Sequence, residues 1–316
     1  MSFSPSRIDV LTAVCVLVGL FKVYQLFLAH NAFDRSDTEC STKGSTSSPW
    51  LGIGKSFGGR PRADNTLYGM QKRLSIARND LYKEIRDNYG NYTDLLFNES
   101  EIINDLVITS SLPMATNRSE AISLERLKRR IKRKILEGQK GTTNNKYVWV
   151  TSGNSIAAGH GNLLHQSYSG VLERSMKAPF AAVGLDFEVR LRAYSGVRSA
   201  PEIALCMESY FGMDVDVLTW DFGQTDGRDL WRYRIFAQRA GLMPSMPTLL
   251  LLSGPKQQQI AFDLEPHGQS VLGVDDLGIL KRRIPDSSDH PNPSELPPAV
   301  QYFLCKGSEN TPPCND

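Results

Sequence analysis

A run of β-branched and aromatic residues that breaks off into small ones constrains this chain most. Tyr147, Val148, Trp149 and Val150 show no polar alternation, which suits a strand buried on both faces inside a parallel sheet. Thr151, Ser152, Gly153, Asn154 and Ser155 follow, and apolar residues resume only at Ile156, Ala157 and Ala158. Open α/β sheets bind ligands at the carboxyl ends of their strands, so Ser155 is expected at such a mouth. The competing duty for a serine after a strand is to cap a helix or close a turn.

Segments of the two periodicities then alternate. Strands are expected at Tyr147–Thr151, Phe187–Ala193, Val215–Asp221 and Thr248–Ser253, with helices at Leu163–Met176, Pro201–Phe211 and Arg228–Ala240 between them. Leu164, Val171 and Leu172 form the inward side of the first of these helices. Pro201 suits a first helical turn, where a missing amide hydrogen leaves nothing unpaired. The alternation predicts an α/β fold, a three-layer sandwich around a mainly parallel sheet. Beyond Gly254 the pattern weakens, and Asp286–Pro298 is polar and proline-rich.

Three short blocks fall at the ends of these strands. Gly153-Asn154-Ser155 with Gly159 resembles the Gly-Asp-Ser opening block of the SGNH (GDSL-type) hydrolases. Gly196, in AYSGVRSA, stands where that family has its second-block glycine, and Gly223-Gln224-Thr225-Asp226 resembles its Gly-x-Asn-Asp block. The resemblance covers about Tyr147 to Gly254. It implies Ser155 as nucleophile, with the backbone amides of Ser155 and Gly196 and the Thr225 hydroxyl as oxyanion donors. A serine nucleophile also needs a base.

The chain departs from the family pattern in three places. Asn154 replaces the aspartate, and Thr225 replaces the oxyanion asparagine, leaving Gln224 or Asp226 to compensate from a different geometry. The late Asp-x-x-His block is missing. His290 follows Asp286 and Asp289 at another spacing and is the candidate base; His267, His160 and His165 rank behind it, and each is also readable as a loop histidine. The resemblance therefore implies either a chain that continues past Asp316 or a site that has lost its base.

Before the domain, Ile8–Ala29 is almost continuously apolar. At about 1.5 Å per residue it crosses a hydrocarbon core of roughly 30 Å, although Lys22 interrupts it. A cleaved signal peptide is the rival, but Ala29-His30-Asn31-Ala32 lacks a small-x-small cleavage site. The expectation is an uncleaved anchor in a single-pass type II protein of the secretory pathway, lumen side. The glycosylation sequons at Asn91, Asn98 and Asn117 agree with a luminal stem. Outside the apolar span lie Cys40, Cys206, Cys305 and Cys314, and Cys305 with Cys314 is the preferred disulfide. The division expected is 1–30 for tail and anchor, 31–145 for linker and helical stem, and 146–316 for the hydrolase-like domain.

Within the stem, 31–62 reads as a flexible linker. Leu67–Tyr89 is expected as a helix with Leu74, Ile76, Leu81, Tyr82 and Ile85 on its apolar stripe. A second helix, Ser119–Glu137, carries Ile122, Leu124, Leu127, Ile131 and Ile135 on one side, with Arg126, Lys128, Arg129, Arg130, Lys132, Arg133 and Lys134 around the rest. The net charge is only +2 and no aromatic residues interleave this helix, so a solvated face is expected rather than a nucleic-acid surface. Acidic glycans or lipid headgroups are its other readings.

Cofactor and metal chemistry find no support. No Gly-x-Gly-x-x-Gly follows the first strand, and no P-loop, His-Glu-x-x-His or Cys-x-x-Cys occurs. Asp214-Val215-Asp216 resembles the Asp-x-Asp of luminal glycosyltransferases, although solvent exposure is the plainer reading. Three functions are ordered accordingly: a membrane-anchored SGNH-like esterase or acyl transferase acting on a small-molecule or carbohydrate ester; a glycan-binding or scaffold protein keeping the fold without the full triad; and a luminal glycosyltransferase.

Overall fold

A computed structural model describes residues 67–96, 115–139, 145–159, 167–227, 229–252 and 271–274. The apolar segment 8–29, the linker, Asn98, Cys305, Cys314 and all five histidines, His290 included, lie outside the described residues.

Five strands form one all-parallel sheet: β1 (Lys146–Gly153), β2 (Asp186–Ala193), β3 (Val217–Trp220), β4 (Thr248–Leu252) and β5 (Val271–Val274), in the order β2-β1-β3-β4-β5. The α/β class is as expected. β1 is interior and buried along its length apart from Lys146, as its unalternating sequence requires. The fifth strand was not expected, because a four-residue Val-Leu-Gly-Val segment has no legible period of its own. Pairing with β4, in the register Leu249↔Val271 to Leu252↔Val274, makes it a strand.

Alternate residues of the strands feed two cores. Val148, Val150, Leu218, Trp220, Leu249 and Leu251 pack with α4 (Met207–Phe211) and α5 (Leu230–Leu242). On the opposite face the rings of Tyr147 and Phe187 meet Phe180 of α3 (Tyr168–Ala182) at centroid distances of 4.9 and 4.7 Å. Helices thus cover both sides of the sheet, the arrangement that lets parallel strands bury both faces.

Helix limits differ from expectation for local reasons. α3 begins at Tyr168 because the Ser167 hydroxyl accepts from the Gly170 amide at 3.2 Å, an N-cap. The expected helix Pro201–Phe211 is broken into a kinked turn at Ser199–Ile203 and α4. Ala200 is extended (φ −146°, ψ 150°), as the residue before a proline prefers.

The helices of the expected stem lie directly against this sandwich. On α1 (Leu67–Tyr89) the buried stripe is Met70, Leu74, Ala77, Leu81, Ile85 and Tyr89, a 3.6-residue repeat that excludes Ile76, which is 54% exposed. α1 packs on α3, and the Arg73 guanidinium donates to the Ala182 carbonyl at 3.1 Å. α2 (Ala115–Gln139) buries Leu127, Ile131 and Ile135 against β1, β4 and β5. A division at residue 146 therefore cuts through packed core.

Candidate functional site at the carboxyl ends of the strands

The strand order reverses direction between β1 and β3, and a doubly wound sheet opens its crevice at that point. Three backbone hydrogen bonds clamp the strand tips there. Tyr194 N donates to Gly153 O at 3.1 Å, Asn154 N to Asp221 O at 3.0 Å, and Asp221 N to Ser152 O at 3.0 Å. The segments carrying Ser155, Gly196 and Thr225 consequently leave from adjoining tips.

Gly153 is what allows the closest of these approaches. A Cβ there would lie 2.6 Å from the Asp221 carbonyl oxygen and closer still to Ala157 Cβ. Only a residue without a side chain fits. Next in the chain, Asn154 is 1% exposed and shapes the turn: its Oδ1 accepts from Ile156 N at 2.9 Å, and its backbone carbonyl accepts from Ala158 N at 3.0 Å. An aspartate would supply the same acceptor. The amide adds a buried Nδ2 donor with no partner among the described residues. Ser155 follows in this turn, half-buried, and among the described residues nothing hydrogen-bonds its hydroxyl.

Gly196 lies in an exposed turn with φ +74°. No atom comes within 4 Å of a Cβ built there, so backbone conformation, not space, calls for glycine. Thr225 is half-buried in the single helical turn Gly223–Asp226. Its hydroxyl donates to Phe222 O over a long 3.4 Å, so little holds it in place.

Asp226 is corrected most by the structure. It is 4% exposed, accepts from Ser199 N at 3.0 Å and accepts from the Ser199 hydroxyl as well. Both carboxylate oxygens are thereby engaged, and the residue ties the turn after β3 to the loop after β2 instead of compensating for Thr225 at the mouth. Burial pushes its carboxyl up from the ordinary aspartate value, opposed by the two Ser199 bonds and by Arg232 and Arg198. Arg232 strengthens the same junction by donating to the Ala200 carbonyl and pairing with Asp229 at 3.1 Å. Sequence reasoning missed Ser199; its signal was a serine in the glycine loop, too common a residue to single out.

Thr151 and Ser152 are also structural. The Ser152 hydroxyl donates to Thr219 O, and Thr151 accepts from the Ser169 hydroxyl at 2.9 Å.

At the amino end of the sheet the Asp-x-Asp carboxylates are committed to separate ion pairs. Asp214 meets the Arg190 guanidinium in a two-pronged contact of 2.6 and 2.9 Å, which holds its carboxyl below the ordinary value. Asp216, 2% exposed, accepts from Val148 N at 2.8 Å and from Lys134 Nζ at 3.0 Å, with Arg130 3.8 Å away. Burial pushes this carboxyl up against the pull of those cations. The two do not form a shared metal clamp, and Asp216 is not solvent-exposed. Among the described residues no group of three metal-ligating side chains occurs.

The same contacts revise the basic helix. Arg130 donates to Val215 O at 3.2 Å and Ser245 O at 2.6 Å, and Lys134 to Lys146 O at 2.8 Å. These two cations of α2 dock the helix; they are not part of a solvated face.

Of the sequons, Asn91 is exposed in the short turn Gly90–Tyr92. Asn117 falls within α2, not in the surface loop a sequon leads one to expect. Cys206 is exposed and forms no disulfide among the described residues.

Comparison of the chain with protein-family models, curated proteins and solved structures finds no match.

Proposed function

We propose that this chain is an SGNH-like serine hydrolase or acyl transferase with Ser155 as its nucleophile. The observation that supports the reading most is the placement of a half-buried serine in a tight turn at the β1/β3 crevice, beside the tips that lead to Gly196 and Thr225. Ser155 Oγ would attack an ester carbonyl carbon while its proton passes to a histidine, for which His290 is the candidate. The amides of Ser155 and Gly196 would receive the oxyanion. Transfer of that proton to the departing alkoxide leaves an acyl-serine, which water or an acceptor hydroxyl then resolves. The proposed setting is the luminal side of a secretory membrane, with Ile8–Ala29 as anchor and an acylated carbohydrate as the substrate class.

Labelling of the full-length glycosylated protein with a fluorophosphonate tests this reading. The wild type should be labelled and Ser155→Ala should not. An unlabelled wild type would remove the hydrolase and leave the second reading, a glycan-binding or scaffold protein on the same fold.

A further inference from the structure

α5 carries an exposed face that neither the sheet nor a neighbouring helix covers among the described residues. Its buried side is Tyr233, Phe236, Ala237 and Ala240. The opposite side presents Trp231, Ile235 and Leu242, respectively 48, 36 and 71% exposed. At 3.6 residues per turn, positions i, i+4 and i+11 fall within about 40° of one another, so the three form a stripe.

The charge along this helix has one sign. LWRYRIFAQRAGL contains Arg232, Arg234 and Arg239 and no acidic residue. Arg232 lies over the Trp231 ring at 4.4 Å and pairs with Asp229, so it stiffens the indole. Arg234 and Arg239 are exposed beside the stripe, and Arg239 also donates to Ala204 O at 3.2 Å.

From this arrangement we infer that the outer face of α5 docks on an anionic lipid surface. An apolar stripe with a tryptophan, flanked by arginines on a helix that carries no carboxylate after its N-cap Asp229, is the pattern of a helix lying at the headgroup boundary. Its chemistry matches such a surface in both parts: apolar side chains enter the acyl boundary while guanidinium groups meet phosphate. The apolar sequence 8–29, read as an anchor, would keep this face at high local concentration beside a bilayer. The inference does not depend on the hydrolase reading, since none of these residues belongs to the Ser155 crevice.

The test uses the full-length protein reconstituted in vesicles, with the readout confined to Trp231. Tryptophan emission is compared in phosphatidylserine-containing and pure phosphatidylcholine vesicles bearing brominated acyl chains, for wild type, Trp231→Phe and Arg234→Gln/Arg239→Gln. Quenching should be stronger with phosphatidylserine, and the lipid-quenched component should vanish in W231F. Removing two arginines should lower the docked fraction relative to the undocked one roughly 30-fold. Thermal melts of both variants that match the wild type exclude loss of fold as the cause. No Trp231 component in the quenching, or equal quenching in both lipids with no effect of the arginine changes, overturns the inference. A concentration-dependent dimer in detergent that W231F abolishes also overturns it, by assigning the face to a second copy of the chain.

Discussion

The two ends of the sheet are built from opposite materials. At the amino end, charged side chains from distant parts of the chain are driven inward and joined: Asp216 with Lys134 and Arg130, closed by the Val148 amide. At the carboxyl end, between β1 and β3, small residues and backbone hydrogen bonds join the strand tips, and the Asp226 carboxylate engages Ser199 in the neighbouring loop. A sealed ionic end resists hydration and serves as the fixed base of the fold. The other end leaves the half-buried Ser155 hydroxyl without a hydrogen-bond partner among the described residues.

This contrast can be broken most severely at the ionic end. Asp216→Ala leaves Lys134 and Arg130 buried without their anion, and stability measured by urea unfolding should fall by about 3–5 kcal/mol. A loss within about 1 kcal/mol would mean that water already reaches that end. At the other end, Gly153→Ala forces a methyl against Asp221 O and Ala157 and should cost about 1–3 kcal/mol by overpacking. Fluorophosphonate reactivity should fall with it, because the tips must part; unchanged reactivity would detach Ser155 from the β1/β3 clamp.

Asp226→Ala should cost about 1–3 kcal/mol, since the Ser199 amide and hydroxyl lose their acceptor. Its pH dependence has a definite sign. Burial raises the folded-state value above the ordinary 3.8, so the contribution is complete below the unfolded value and diminishes as pH rises through the folded one. The gap between wild type and variant in thermal or urea unfolding should therefore be wider at acid than at neutral pH. A gap that widens with rising pH would show that the Ser199 bonds outweigh burial. Smallest of all, Ser155→Ala should change stability by no more than about 0.5 kcal/mol while abolishing labelling. A large loss of stability would make that serine a structural turn residue.

The legible parts of the site were those written locally. Tyr147–Val150 announced an interior strand, and the sudden change to Gly153, Asn154 and Ser155 announced its open end. Illegible were the features that need a partner far along the chain. Lys134 and Arg130 read as solvent-facing because their anion, Asp216, stands 82 and 86 residues away in sequence. Asp226 read as part of the mouth because Ser199, its partner, lies in a different loop. Ile76 shared a helical repeat with residues that are buried, yet the stripe that α3 covers runs through Met70 and Ala77 instead.

By itself, then, the sequence determined the class of fold, the interior place of β1 and the position of its opening, because strand periodicity, proline and small-residue breaks act through nearest neighbours. Tertiary structure alone decided which charges are buried, that β5 joins the sheet, and that α1 and α2 belong to the same packed body. Those outcomes are set by desolvation and pairing between segments far apart in the chain, and short-range patterns carry no record of them.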